Sequence, residues 1–274
     1  MNTNDITNYL IRLTPIQQIP VTWEGKAYTS DSFNSWASGP SFKGWANDKE
    51  TGKEAATIAK LLDVKRGNTL LDVACGYGRH ALIFAGKYGL KVTGTDISSG
   101  LVAAAKRLAA EKKLGIKYEV RHATDLPWSD KFDHAMIAFN TLSLFGPDNA
   151  PLVLKGINRS LKRGGRLFLD LDNKPYNCRY GTYTTHWYTW PSGLTFQDIY
   201  FHEDISTEIN RDIIFAKESE IIDDFIIFKR IYSEREIKKL LKDCGFQAEQ
   251  IYGDWDLTPL KKTSPKMILT GIKN

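Results

Sequence analysis

Leu70-Leu71-Asp72-Val73-Ala74-Cys75-Gly76-Tyr77-Gly78-Arg79-His80 is the stretch that decides the fold. An apolar run ends in an acid, turns through two glycines and enters the helix-like segment Ala81-Leu82-Ile83-Phe84. That order is strand, tight loop, helix: the first βα unit of a doubly wound sheet. The glycines let a ligand lie against the backbone, and the following helix start offers free N–H groups. Gly76-Tyr77-Gly78-Arg79-His80-Ala81 formally fits the dinucleotide fingerprint, but Asp72 would set a negative charge against a diphosphate. A cationic ligand with an ammonium and a sulfonium suits that acid better.

The chain around this unit repeats the alternation. Ala55, Ile58, Ala59 and Leu62 recur at helical spacing within Glu50–Leu62, ahead of a strand over Thr69–Val73. A helix is expected over Arg79–Lys87 and a second strand over Lys91–Thr95, ending at Asp96. Asp96 follows Gly76 by about 20 residues, the spacing at which an acid at the second strand's end accepts from a ribose diol. Ser98 is the better candidate for capping the next helix, whose stripe is Leu101, Ala105, Leu108 and Ala109. A third strand over Lys117–Arg121 leads to Ala123-Thr124-Asp125-Leu126-Pro127-Trp128, and a fourth over Phe132–Phe139 releases Asn140-Thr141-Leu142-Ser143. His134 on that strand reads as a packed or paired core histidine. Pro147 opens a helix carrying Leu154, Ile157 and Leu161, which Lys162-Arg163-Gly164-Gly165 stops before a fifth strand over Arg166–Leu171.

Asp72-Val73-Ala74-Cys75-Gly76-Tyr77-Gly78-Arg79-His80 resembles the glycine-rich motif of class I S-adenosylmethionine-dependent methyltransferases, with Ala74 at the place of the first glycine. The Leu-Lys-x-Gly-Gly turn before the fifth strand adds to the resemblance, which covers Leu70–Asp172, somewhat over a third of the chain. The resemblance implies S-adenosylmethionine as cofactor. It places Asp72, Ala74, Cys75, Gly76 and Gly78 along the cofactor, and Asp96 with Ile97 at its ribose. Asp125 would then accept from the adenine amino group while Leu126 packs on the ring. Asn140 would face the methyl-transfer site. Taken without ligand, Cys75 is a small buried thiol and Asp125 a loop acid.

The chain has 274 residues, 42% apolar and 12% aromatic, enough for one large domain or a core with an insertion. Its net charge of +5 balances 37 basic against 32 acidic residues, with no dense basic block, so a nucleic-acid partner is permitted but not indicated. Asn140-Thr141-Leu142 also lacks the prolines of enzymes that methylate exocyclic amines of DNA bases. Cys75, Cys178 and Cys244 are too widely spaced for a disulfide framework or a zinc site, and no metal constellation is evident. The first residues lack a secretory pattern and no apolar run is long enough to cross a bilayer, so a cytoplasmic protein is expected.

Residues 176–232 break the βα alternation. Thr182–Trp190, Leu194–Glu203, Glu208–Lys217 and Ile221–Tyr232 alternate polar with apolar residues around turns at Pro191-Ser192-Gly193 and Glu218-Ser219. We read an inserted antiparallel sheet of about four strands that shapes an acceptor pocket or forms a homodimer interface. A turn symmetric about Ser192 would set His186 opposite Asp198, a carboxylate-oriented imidazole able to take a proton from an acceptor. A surface cross-strand pair is the plainer reading; Tyr180, His202 and Arg211 are lesser candidates. Ser233 caps a helix stopped at Cys244-Gly245-Phe246, and Gln247–Tyr252 and Lys266–Ile272 close the chain as a hairpin. That ending matches a seven-stranded methyltransferase sheet better than a nicotinamide dehydrogenase. The aromatic stretch 1–48 is a structural collar or a lid, with Tyr28, Trp36 and Trp45 as lid candidates.

The expected fold is therefore α/β: a doubly wound, seven-stranded, mostly parallel sheet with a C-terminal antiparallel hairpin, plus an inserted antiparallel sheet. The core comprises 49–175 and 233–274. The expected function is methyl transfer from S-adenosylmethionine to N or O of a small-molecule acceptor. The alternatives are an NAD-dependent oxidoreductase, a methyltransferase of protein or RNA, and a binding protein that retains the fold.

Overall fold

The computed structural model describes residues 13–21, 23, 48–180, 183–190, 193–216 and 222–274. The lid candidates Tyr28, Trp36 and Trp45 lie outside the described residues. From residue 48 the alternation runs as α1 (Asp48–Leu62), β1 (Thr69–Val73), α2 (Arg79–Gly86), β2 (Lys91–Asp96), α3 (Ser99–Glu111), β3 (Lys117–Val120) and β4 (Phe132–Ile137). After β4 come a short 3-10 turn (Thr141–Phe145), α4 (Gly146–Ser160) and β5 (Leu161–Asp172). A one-turn helix α5 (Lys174–Asn177) leads to β6 (Tyr183–Trp190), β7 (Gly193–His202), β8 (Thr207–Ala216) and β9 (Ile222–Arg230). The chain closes with α6 (Glu234–Asp243), β10 (Phe246–Tyr252) and β11 (Lys266–Lys273).

Seven strands form one sheet in the order β10-β11-β5-β4-β1-β2-β3. All neighbours are parallel except β11, which runs against both β5 and β10. The strands read as near-continuous apolar runs because both faces are covered. On one face Leu71, Val73, Ala135, Leu167 and Leu169 pack with Val153, Leu154 and Ile157 of α4 and Ile237 and Leu241 of α6. On the other, Leu70, Val92, Met136, Phe168 and Ile268 pack with Ile58 and Leu62 of α1, Phe84 of α2 and Val102 of α3. The helices start where capping chemistry predicts. Ser98 Oγ accepts from Leu101 N at 3.1 Å, and Ser233 with Glu236 forms a reciprocal capping box at α6.

The fifth strand is longer than the sequence suggests. Its ladder with β4 steps from Phe132↔Leu161 to His134↔Arg166, so Lys162–Gly165 bulges out of the pairing instead of preceding it. Gly164 adopts φ +75° in that bulge.

The other four strands form a separate antiparallel sheet, β6-β7-β8-β9, inserted between β5 and α6. Its register corrects one expectation. Trp190 pairs with Gly193, so His186 faces Gln197, and Asp198 faces Thr185. A two-residue connection sets this register, not one centred on residue 192. Because side chains alternate, the one-residue difference puts His186 and Asp198 on opposite faces. Asp198 Oδ1 instead accepts from the Tyr183 and Thr185 hydroxyls, each at 3.0 Å. On that face Ile16, Ile209 and Phe228 form a small core, and Arg211 Nη1 donates to the Thr14 carbonyl at 2.8 Å.

Candidate functional site

The sheet reverses its winding between β1 and β4, the switch point at which doubly wound sheets receive a ligand outside the carboxyl ends of their strands. Asp72 ends β1 at the head of the glycine loop. Ala74, Gly76 and Gly78 all have positive φ, at +56°, +56° and +79°. This backbone suits glycine, and Ala74 adopts it at some cost. Cys75 N donates to the Thr95 carbonyl at 2.9 Å, tying the loop to β2. A Cβ added at Gly76 would meet nothing within 4 Å, so this crook faces open space. One at Gly78 would lie 2.3 Å from the Tyr118 hydroxyl, which backs the loop from β3 and is buried without a hydrogen-bond partner.

Two buried carboxylates meet at this loop. Asp96 Oδ2 accepts from Gly76 N at 2.8 Å and Oδ1 from Ser98 N at 2.9 Å. Burial raises its pKa, while the N–H groups of Ser98, Gly76 and Ile97 pull the other way. Asp72 is 3% exposed, and no hydrogen bond from the described residues reaches its carboxylate. Burial pushes it up to about 8, helped by the Asp96 charge and opposed by the nearby Arg79 guanidinium. A buried acid so placed is costly to ionise until a cation arrives. Cys75 is likewise raised well above the ordinary thiol range by burial and by both acids, so it is not a nucleophile.

Arg79 and His80, the first residues of α2, reach back to α1. Glu54 accepts from Arg79 and lies 2.8 Å from His80 Nε2. Burial raises the Glu54 pKa, but the His80 hydrogen bond and the Arg79 charge outweigh it and hold the group low. The guanidinium also sits over the Phe139 ring, 5.4 Å from its centroid. No sequence signal pointed to Glu54.

The opposite wall follows β4. Phe139 and Asn140 are consecutive residues with φ +66° and +55°, and their N–H groups converge on Asp170 of β5, at 2.5 and 3.2 Å. Such a nest binds an anion, here a side chain of the protein itself. Asn140 Nδ2 donates to Asp172 Oδ2 at 2.6 Å, and its Oδ1 accepts from Asp172 N and the Ser143 hydroxyl. Asp172 also pairs with Lys266 at 2.6 Å. Burial lifts Asp170 to about 6, against the pull of Lys266 and the two N–H groups. Asp170 and Asp172 escaped the sequence reading, although two acids two residues apart at a strand's carboxyl end were visible.

The remaining candidates separate. Asp125 is exposed beyond β3, where it pairs with Arg121 at 3.1 Å. Leu126 is fully buried beside Gly156 of α4 and packs in the core beneath the loop. His134 is buried, with Nε2 3.2 Å from Asn68 Oδ1. His186 is exposed on the inserted sheet. Among the described residues no cluster of His, Cys, Asp or Glu is arranged to hold a metal ion, and no helix is long and apolar enough to cross a membrane.

Residues 70–165 match the methyltransferase-domain family. A phosphoethanolamine N-methyltransferase of Triticum aestivum is 30% identical over 121 residues, 44% of this chain and 23% of that protein. A demethylmenaquinone methyltransferase of Bacillus mycoides is 34% identical over 142 residues, 50% of this chain and 54% of that protein. The chain thus spans about half or less of the length of the curated relatives it matches. Among solved structures, an S-adenosylmethionine-dependent methyltransferase from Clostridium acetobutylicum superposes with a TM-score of 0.73. The two share 15% identity, over 89% of this chain and 98% of that one. Residues 70–165 are therefore a methyltransferase domain, carried on the fold of the class I S-adenosylmethionine-dependent methyltransferases. The cofactor of that class is S-adenosylmethionine.

Proposed function

We propose that the chain transfers the methyl group of S-adenosylmethionine to a nitrogen or oxygen of a small-molecule acceptor. The observation that carries this reading is Asp72: a buried carboxylate without a hydrogen-bond partner among the described residues, beside a glycine crook that faces open space. A diphosphate cofactor would meet its charge with charge of the same sign, whereas an ammonium and a sulfonium relieve it. The residues present fit this cofactor. Ala74, Cys75, Gly76 and Gly78 supply a close-fitting backbone for its amino-acid end. Asp96 keeps outward lone pairs for the ribose diol while its inward ones hold the loop, with Ile97 alongside. Asp125, in the loop after β3, would accept from the adenine amino group on leaving Arg121.

When bound, the cofactor supplies an electrophilic methyl group; the chain's part is placement. The Phe139-Asn140 turn, fixed by Asp170 and Asp172, would line one side of the space in which that methyl and the acceptor meet. Small-molecule acceptors are favoured by the activities of the matched relatives and by a sequence without a dense basic block. The test is incubation of the full chain with methyl-labelled S-adenosylmethionine and fractionated small metabolites. Label in a low-mass product supports the reading. Label only in protein or RNA, or none in any fraction, overturns it.

A further inference from the structure

Both faces of the inserted sheet bury polar groups. On the face covered by residues 13–21 and Trp23 the charges are paired: Asp198 accepts from two hydroxyls, and Arg211 donates from Nη1 to the Thr14 carbonyl and lies 3.4 Å from Asp224 through Nε, which makes no hydrogen bond. On the other face β8 presents Glu208, Asn210 and Asp212, each more than nine-tenths buried. Glu208 is matched there too, by Lys229 of β9 at 2.9 Å and by Asn177 Nδ2 at 3.3 Å. Asn177 and Lys174, which bonds Ser206 at 2.5 Å, lie just past Asp172, so this end of the face adjoins the exit of β5.

Asn210 and Asp212 are not matched. Asn210 Oδ1 is buried with no hydrogen-bond partner. Asp212 Oδ1 accepts from Gln197 Nε2 at 2.7 Å, and no donor among the described residues reaches Oδ2. The register aligns His186, Gln197 and Asp212 in one row across β6, β7 and β8. The histidine sought as a partner of Asp198 thus shares a face with a different carboxylate, with Gln197 between them. Lys229 pairs directly with Glu208 and reaches Asp212 only by its charge through space, so the one hydrogen bond to Asp212 among the described residues comes from a neutral amide. Buried polar atoms that gain nothing in the folded protein alone are the signature of a site built for a ligand.

We propose that this face is the acceptor subsite and that its ligand is a hydroxyl-bearing small amine, bound as the cation. Asp212 takes the ammonium, while Asn210 and His186 take hydroxyl groups. The inference rests on the methyl-transfer reading and deepens it. Burial raises the Asp212 pKa, and Gln197 and Lys229 oppose that rise. A bound ammonium would lower it further.

The test uses the full chain saturated with S-adenosylhomocysteine. Calorimetry and saturation-transfer NMR measure binding of aminohexoses and amino alcohols against the polyols that carry hydroxyl in place of the amine. We expect at least one hydroxylated amine to bind about tenfold or more tighter than its matched polyol. Asp212→Asn should erase that preference while leaving S-adenosylhomocysteine affinity unchanged. Asn210→Ala, which keeps the charge, should weaken amine and polyol alike. An absent amine preference, or one that survives Asp212→Asn in a folded protein, overturns the proposal. If Asp212→Asn does not fold, an Asn210→Ala protein with unchanged amine and polyol binding overturns it. Failure of the wild-type chain to bind S-adenosylhomocysteine would instead overturn the methyl-transfer reading, and this inference with it.

Discussion

Replacing Asp72 by Asn should make the ligand-free protein more stable at alkaline pH while impairing cofactor binding. Asp72 is buried, and that burial raises its carboxyl from the ordinary 3.8 to about 8. An acid whose folded pKa lies above its unfolded one holds its proton more tightly in the native state. Stability therefore falls as pH rises from about 4 to about 8. At roughly 1.4 kcal/mol per unit, the ionised carboxylate costs the native state ~5 kcal/mol above pH 8. The isosteric amide removes that cost but is itself a buried polar group short of partners, a penalty of ~1–3 kcal/mol. The net expectation is a gain of ~2–4 kcal/mol for Asp72→Asn at pH 8.5. At pH 5 the wild-type group is already protonated, so the variant should show no gain or a small loss. Urea unfolding at both pH values reads this directly, with the m-value as a check on two-state behaviour. A variant destabilised equally at both pH values would refute the reasoning, because Asp72 would then be a satisfied structural acid.

Three further outcomes follow from the same geometry. Asp96→Ala should weaken S-adenosylmethionine binding by ~1–3 kcal/mol, since ribose acceptors and the anchors of Gly76 and Ser98 are lost together; unchanged affinity in calorimetry would remove Asp96 from the site. Gly78→Ala should nearly abolish binding, because φ is +79° and the new Cβ would sit 2.3 Å from the Tyr118 hydroxyl. Adding Tyr118→Phe should restore part of it, and equal binding by the single and double variants would show that the clash is not the cause. Asp170→Asn should lower stability at pH 4 by ~1–3 kcal/mol, as one N–H of the Phe139-Asn140 turn loses its acceptor. The deficit should shrink as pH rises from about 4 through about 6, because burial lifts the Asp170 carboxyl to about 6 and its ionisation costs the wild-type native state, a cost the amide does not carry. A deficit independent of pH, measured by urea unfolding, would count against the clamp.

The βα order was legible because apolar runs, glycines and caps are local signals. Ser98, the Gly76-Tyr77-Gly78 crook and the four strands of the insert emerge within a residue or two of their expected places. Facts of register and burial were not legible. His186 missed its expected partner because one residue more or less in a turn exchanges the faces of a strand, and Pro191-Ser192-Gly193 permits either. The burial of Leu126 was not visible either, because it depends on the loop after β3 tucking beneath α4, where Gly156 leaves room for it. The Glu54–Arg79–His80 cluster depends on how α1 docks against the glycine loop, and helical periodicity alone carries no information on that contact.

The central claim is that the site around Asp72 and Asp96 binds S-adenosylmethionine. Its most direct test is calorimetric titration of the full chain with S-adenosylmethionine, S-adenosylhomocysteine and NAD in parallel. The account predicts saturable binding of the first two, none of NAD, and release of a proton when S-adenosylmethionine binds near pH 7, as Asp72 ionises beside the arriving cation. Binding of NAD with neither of the others would contradict it.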